Sequence, residues 1–145
     1  MSKIYIAAPL STKEHKKNNE KVAKFLRFCG HEVYLPQEFH VENAYSISNE
    51  EWARRVFDED MRNLVSCDEL WTLNYGRRMS TGGTSFEIGY ASASKKRIIC
   101  LSKKGAKISL MVRNSANQIL DLDEFLLGQE LNKIKFLESN EYDQV

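Results

Sequence analysis

Short runs of β-forming residues alternate with longer amphipathic stretches along all 145 residues, and that alternation admits few architectures. Lys3-Ile4-Tyr5-Ile6-Ala7-Ala8 reads as a buried strand broken by Pro9, and Ser11-Thr12-Lys13-Glu14 has the Ser-x-x-Glu pattern of a capping box. The helix it starts should reach about Cys29. Val22, Phe25, Leu26 and Cys29 recur at helical spacing, lysines and asparagines take the opposite face, and Gly30 supplies the stop. His31-Glu32-Val33-Tyr34-Leu35 is a second strand ending at Pro36, and residues 37–47, which have no period, form a loop over the site. Ser48-Asn49-Glu50-Glu51 is a second capping box, opening a helix to about Ser66. Glu69 to Tyr75 is a third strand, and a glycine-rich turn then leads into another helix. Arg97 to Leu101, a short helix from Ile108 to Asn117, a strand at Gln118-Ile119-Leu120 and a helix capped by Asp121 that runs to about Leu137 complete the order. The expectation is a single α/β domain over residues 1–138, doubly wound in the flavodoxin or Rossmann manner around a parallel sheet of about five strands, with a frayed tail at 139–145. Ligands of such sheets bind at the carboxyl ends of the strands.

Composition narrows the function. A net charge of +1, with Lys and Arg scattered, gives no electrostatic bias toward a polynucleotide or a membrane surface. No apolar run approaches the roughly 20 residues that span a bilayer, and no basic and apolar leader precedes Lys3, so a cytoplasmic protein is expected. Cys29, Cys67 and Cys100 are odd in number and lack metal-ligand spacing, which fits buried, reduced thiols.

Thr81-Gly82-Gly83-Thr84-Ser85-Phe86-Glu87-Ile88-Gly89-Tyr90-Ala91 sets a carboxylate among small and apolar residues directly after a strand. Amides at a helix start attract anions and glycine permits close approach, so a phosphate or sugar fits there, with Glu87 facing it. A second acid is out of place. Trp52, Val56, Asp60 and Leu64 are each four apart, so Asp60 lies in an otherwise apolar row, where desolvation raises its pKa unless an arginine such as Arg54, Arg55 or Arg62 pairs with it. Asp60 and Glu87 converge if the strand between their helices ends at a ligand crevice, and Tyr5 of the first strand is placed to join them. Two carboxyl groups in different environments are the makings of an acid and nucleophile pair. Other chemistries fit less well: His15, His31 and His40 read as surface residues, and Gly82-Gly83 lacks the lysine of a P-loop and the spacing of a dinucleotide fingerprint.

At these residues the sequence resembles the nucleoside 2-deoxyribosyltransferase family and its relatives that hydrolyse the N-glycosidic bond of nucleoside 5'-monophosphates. Ile4 to Leu10 looks like the family's first strand and turn, Asp60 and Asp68 like its aspartates eight apart, and Gly83 to Ala91 like its nucleophile segment. The resemblance implies Glu87 as nucleophile, Asp60 as handler of the departing base's proton and Tyr5 as the residue that positions the nucleophile. It implies substrate contacts at Thr81, Gly83, Ser109, Ser11 and Ala7. Thr81 stands where the transferases carry an aspartate and the hydrolases a serine; a hydroxyl donates to a phosphate without repelling it. Ser109 likewise matches a hydrolase serine supplied to a neighbouring subunit's site, which implies a homodimer or a dimer of dimers. The hydrolases' Gly-rich, Arg-containing turn is here Ala8 to Lys13, with Ser11 as a substitute, and Arg77 and Arg78 read as solvated loop charges. The expected activity is hydrolysis of (2'-deoxy)nucleoside 5'-monophosphates through a glycosyl-Glu87 intermediate, with no metal or organic cofactor. The alternatives are base exchange by a deoxyribosyltransferase, a nucleotide-binding module without turnover and a glycohydrolase of dinucleotides.

Overall fold

The computed structural model describes residues 1–76 and 82–131, so Arg77, Arg78, Thr81 and the expected tail lie outside the described residues. Five strands, β1 (Lys3–Ala7), β2 (Glu32–Tyr34), β3 (Glu69–Asn74), β4 (Arg97–Ser102) and β5 (Gln118–Asp121), form one sheet in the order β2-β1-β3-β4-β5. Every pairing is parallel. Helices α1 (Lys13–Phe28), α2 (Asn49–Ser66), α3 (Gly82–Ala93), α4 (Leu110–Ser115) and α5 (Leu122–Leu131) make the crossovers. The strand order reverses direction between β1 and β3, and the crevice above their carboxyl ends is where doubly wound sheets take ligands.

The period of two along β1 divides the core. Ile4 and Ile6 join Trp71, Leu73, Ile99 and Leu101 against α1 and α5, with Phe25 and Phe125 meeting edge to face at 5.5 Å. Tyr5 and Ala7 point the other way, into a cluster with Leu64, Leu70, Ile88 and Ala91 under α2 and α3. Cys67 and Cys100 are buried, Cys29 is half-buried, and all three thiols are free.

Caps explain most helix boundaries. Ser48 Oγ accepts from the Glu51 amide, and Asp121 Oδ1 accepts from the Glu124 amide at 2.8 Å, as the capping patterns imply. At α1 the cap is Thr12, not Ser11: Thr12 Oγ1 accepts from the His15 amide at 3.0 Å, while Ser11 Oγ lies 3.3 Å from His15 Nδ1. Both residues carry a capping hydroxyl, and the extended backbone of Thr12 makes it the N-cap. Cys29 closes α1 and Gly30, at φ +94°, takes the left-handed turn that follows.

The asparagines of α1 are not all on its solvent face. Asn19 is fully buried, and its amide donates to the Pro9 carbonyl and to Gln37 Oε1, each at 3.1 Å, while its Oδ1 accepts from the Tyr75 hydroxyl at 3.1 Å. Three segments at the carboxyl edge of the sheet, after β1, β2 and β3, are thereby tied to one side chain. His15 stacks on Tyr75 with ring centroids 4.1 Å apart and is half-buried rather than superficial; so is His31, whose Nδ1 accepts from the Ser2 amide. Replacing Asn19 with alanine strands those partners and should cost about 1–3 kcal/mol in urea unfolding with an unchanged m-value; a loss below about 0.5 kcal/mol contradicts the role of the network.

Candidate active site

Register builds the site. Tyr5 and Tyr34 are Cα partners on β1 and β2, so both side chains leave the same face of the sheet, with ring centroids 5.3 Å apart. The Tyr5 hydroxyl donates to Glu87 Oε2, and the Tyr34 hydroxyl donates to Asp60 Oδ1 at 2.7 Å. Two tyrosines on neighbouring strands thus hold two carboxyl groups delivered by two helices, α3 and α2. Tyr5 is fully buried, whereas Tyr34, Asp60 and Glu87 are half-buried and border solvent.

The environment sets the protonation of each group. Burial is the largest influence on Glu87 and pushes its carboxyl up to about 7; the Tyr5 hydrogen bond pulls the other way and the Asp60 charge adds to the rise. Asp60 is also raised above the ordinary carboxylate range by burial, against the Tyr34 hydrogen bond. Glu87 lies beyond the first turn of α3, where the field of the helix end has faded, so desolvation prevails. Both tyrosines are held well above the usual phenol range, by burial first and by the carboxyl groups next, so each remains a donor.

The apolar row on α2 is real only toward its carboxyl end. Leu64 is buried and Val56 half-buried, but Trp52 is 45% exposed. No arginine neutralises Asp60 among the described residues; Arg54 meets Asp58, Arg55 meets Glu51 and Arg62 meets Glu59. Asp68 is not near Asp60: its Oδ2 accepts from the Lys3 amide at 2.8 Å, at the amino edge of the sheet. Tyr34 is the residue that sequence reasoning missed. Its strand was legible, but the β1–β2 register that sets it beside Tyr5 is a long-range fact.

The remaining positions lie on separate segments of the chain. Ala7 is buried as the last residue of β1, Gly83 is exposed in the first turn of α3, and Ser11 is exposed in the turn before α1. Ser109 caps α4, accepting from the Val112 amide at 3.2 Å, and is exposed; no contact joins it to Glu87, Asp60 or Tyr5 of its own chain. Beside it Leu110 and Met111 are 72% and 76% exposed. Thr81 lies outside the described residues. Among the described residues no cluster of His, Cys, Asp and Glu has the makings of a metal site, and no helix is long and apolar enough to cross a membrane.

Known proteins share this fold. The chain is similar to the 2-deoxyribosyltransferase of Bacillus psychrosaccharolyticus, with a TM-score of 0.73 and 28% identity over 86% of this chain and 90% of that one. It is similar to the CMP N-glycosidase BcmB of Clostridium botulinum, with a TM-score of 0.60 and 26% identity over 89% of this chain and 98% of that one. The Leishmania mexicana 2-desoxiribosyltransferase, at a TM-score of 0.63 and 17% identity over 97% and 99% of the two chains, shares the fold. No curated protein matches the sequence. The family model described as nucleoside 2-deoxyribosyltransferase matches residues 4–122, which is most of the chain, and the protein belongs to that family of enzymes.

Proposed function

We propose that the protein hydrolyses the N-glycosidic bond of (2'-deoxy)nucleoside 5'-monophosphates. The observation that carries the proposal is the pair of half-buried carboxyl groups, Glu87 and Asp60, each held by a tyrosine of adjacent parallel strands beside the switch point of the sheet. Tyr5 donates to Oε2 of Glu87, and Oε1 is the oxygen assigned to attack. Ionised Glu87 attacks the anomeric carbon opposite the base, the C–N bond breaks, and protonated Asp60 gives its proton to the departing nitrogen. Asp60, now a carboxylate, takes a proton from water, whose oxygen displaces Glu87 from the sugar and releases (deoxy)ribose 5-phosphate. Both acids return to their starting states.

The preference for a 5'-phosphate rests on Thr81 and Ser109, which add hydroxyl donors and no negative charge, and on the likeness to a protein named as a CMP N-glycosidase. Ser11, before α1, and Gly83, in the first turn of α3, are the residues assigned to the phosphate, and Ala7, at the end of β1, is assigned to the sugar side. Ser109, which caps α4 at an exposed position, is assigned to the site of a second copy. Exposed Leu110 and Met111, with Trp52, Phe57 and Phe86 on the same side of the sheet, supply the apolar area for that homodimer. The competing reading is base exchange on 2'-deoxynucleosides, favoured by the likeness to the Bacillus enzyme. It shares the covalent step and differs in the acceptor.

Chromatography of free base decides between them. Wild type should release base from a monophosphate without an acceptor, and Glu87→Ala should release none. Glu87→Ala and Ser109→Ala chains, each deficient alone, should recover activity when mixed, since one hybrid site then holds both residues. Reaction of nucleosides alone, and only with an acceptor base, makes the protein a transferase; no reaction with any of them leaves a binding module.

Proton inventory gives a second test. The pair must hold one proton in total, and with the Glu87 carboxyl up at about 7 the last proton leaves near that pH. Wild-type kcat/KM should therefore fall as pH rises past about 7, and fall again in acid when both groups are protonated. In Asp60→Asn only Glu87 has to ionise. Its activity, lower by about 100- to 10,000-fold, should instead rise with pH through neutrality. A wild-type profile flat across that range, or the same profile in both proteins, contradicts the assignment.

A further inference from the structure

We propose that Tyr34 is a positioning residue for the acid step, fixing Oδ2 as the oxygen from which Asp60 delivers its proton and tightening its hold on Oδ1 as that proton leaves. The inference rests on the glycosidase reading above and extends it to a residue outside the three that the sequence singles out.

The geometry is specific. Tyr34 ends β2, and its hydroxyl donates to Asp60 Oδ1 at 2.7 Å. A phenol that donates to Oδ1 leaves that oxygen as the carbonyl of the protonated acid, so the acidic hydrogen resides on Oδ2, which has no hydrogen-bond partner among the described residues. The phenol ring packs against Tyr5, with centroids 5.3 Å apart, and the Tyr5 hydroxyl is itself committed to Glu87. Around Asp60 stand Tyr34 from β2, Tyr5 from β1, Glu87 from α3 and, on its own helix, Arg62, which is paired to Glu59. Tyr34 is thus the direct donor to Asp60, and the neighbouring Glu87 opposes a second negative charge.

The contact favours proton transfer for a reason of charge. A hydrogen bond from a neutral phenol to a carboxylate is about twice as strong as one to a neutral carboxyl oxygen, so the Tyr34 bond strengthens while Asp60 gives up its proton. Burial raises the Asp60 pKa and makes the group a reluctant acid; the Tyr34 bond works in the opposite direction. Stabilisation that grows along the reaction lowers the barrier, whereas equal stabilisation at both ends does not.

A leaving-group comparison separates this from a structural role. Tyr34→Phe keeps the ring and should lower kcat/KM by about 10- to 100-fold for the base that wild type releases. The loss should shrink to about threefold or less for a derivative of that base with electron-withdrawing substituents, which departs with little need of a proton. Equal losses on the two substrates in a variant that unfolds at the wild-type temperature overturn the proposal. Carbon-13 titration of the Asp60 carboxyl gives a readout that needs no turnover: its midpoint should move up in Tyr34→Phe and down when 3-fluorotyrosine, a stronger donor of the same shape, replaces Tyr34. Midpoints unchanged in both overturn the proposal. If wild type releases no base from any nucleotide, the glycosidase reading alone fails, and the titration still decides whether Tyr34 governs Asp60.

Discussion

The hydrogen bond between Tyr5 and Glu87 is the constraint around which the molecule is arranged. It joins the centre of β1 to α3, across the point where strand order reverses, and it holds a carboxyl group in surroundings that push its pKa to about 7. Such a group is costly to keep unless something fixes it in place. Here the fixing element is a strand flanked on both sides by parallel neighbours. The same register that aligns Tyr5 with β2 brings Tyr34 beside it, and through Tyr34 it brings Asp60. One pairing of two strands therefore positions both acids.

The carboxyl edge of the sheet is held by a different device. Asn19 ties together the segments that follow β1, β2 and β3, so the rim of the crevice is fixed independently of the acids at its wall. That division suits a site that must keep its reactive groups in place while exchanging a polar ligand. Groups are preorganised by strands and by one buried amide, and the loops are left to shape the opening.

Local patterns in the chain were informative wherever the physics is local. Strand runs, the caps at Ser48 and Asp121 and the all-parallel α/β architecture follow from period, propensity and capping, and the structure has them. The placement of Asp60 and Glu87 near Tyr5 was legible because helix spacing and strand order bring their elements to one face. What was lost depends on distant residues. Thr12 rather than Ser11 caps α1, because the backbone path of the turn sets which hydroxyl reaches an amide. Asn19 lies three and four residues before Val22 and Ala23, on the buried stripe, so spacing did hold a signal that its polarity obscured. Tyr34 needed the β1–β2 register, and the raised Glu87 pKa needed the burial that only the folded chain creates.

The central claim is that Glu87 becomes covalently bonded to the sugar. Its most direct test is mass spectrometry of the protein acid-quenched during turnover of a nucleotide with an activated leaving base, so that the first step outpaces hydrolysis. The account predicts a transient adduct with the mass of a (deoxy)ribose 5-phosphate residue, mapping to the α3 peptide at Glu87. Base released while the protein mass stays unchanged at every quench time, or an adduct on another residue, would contradict it.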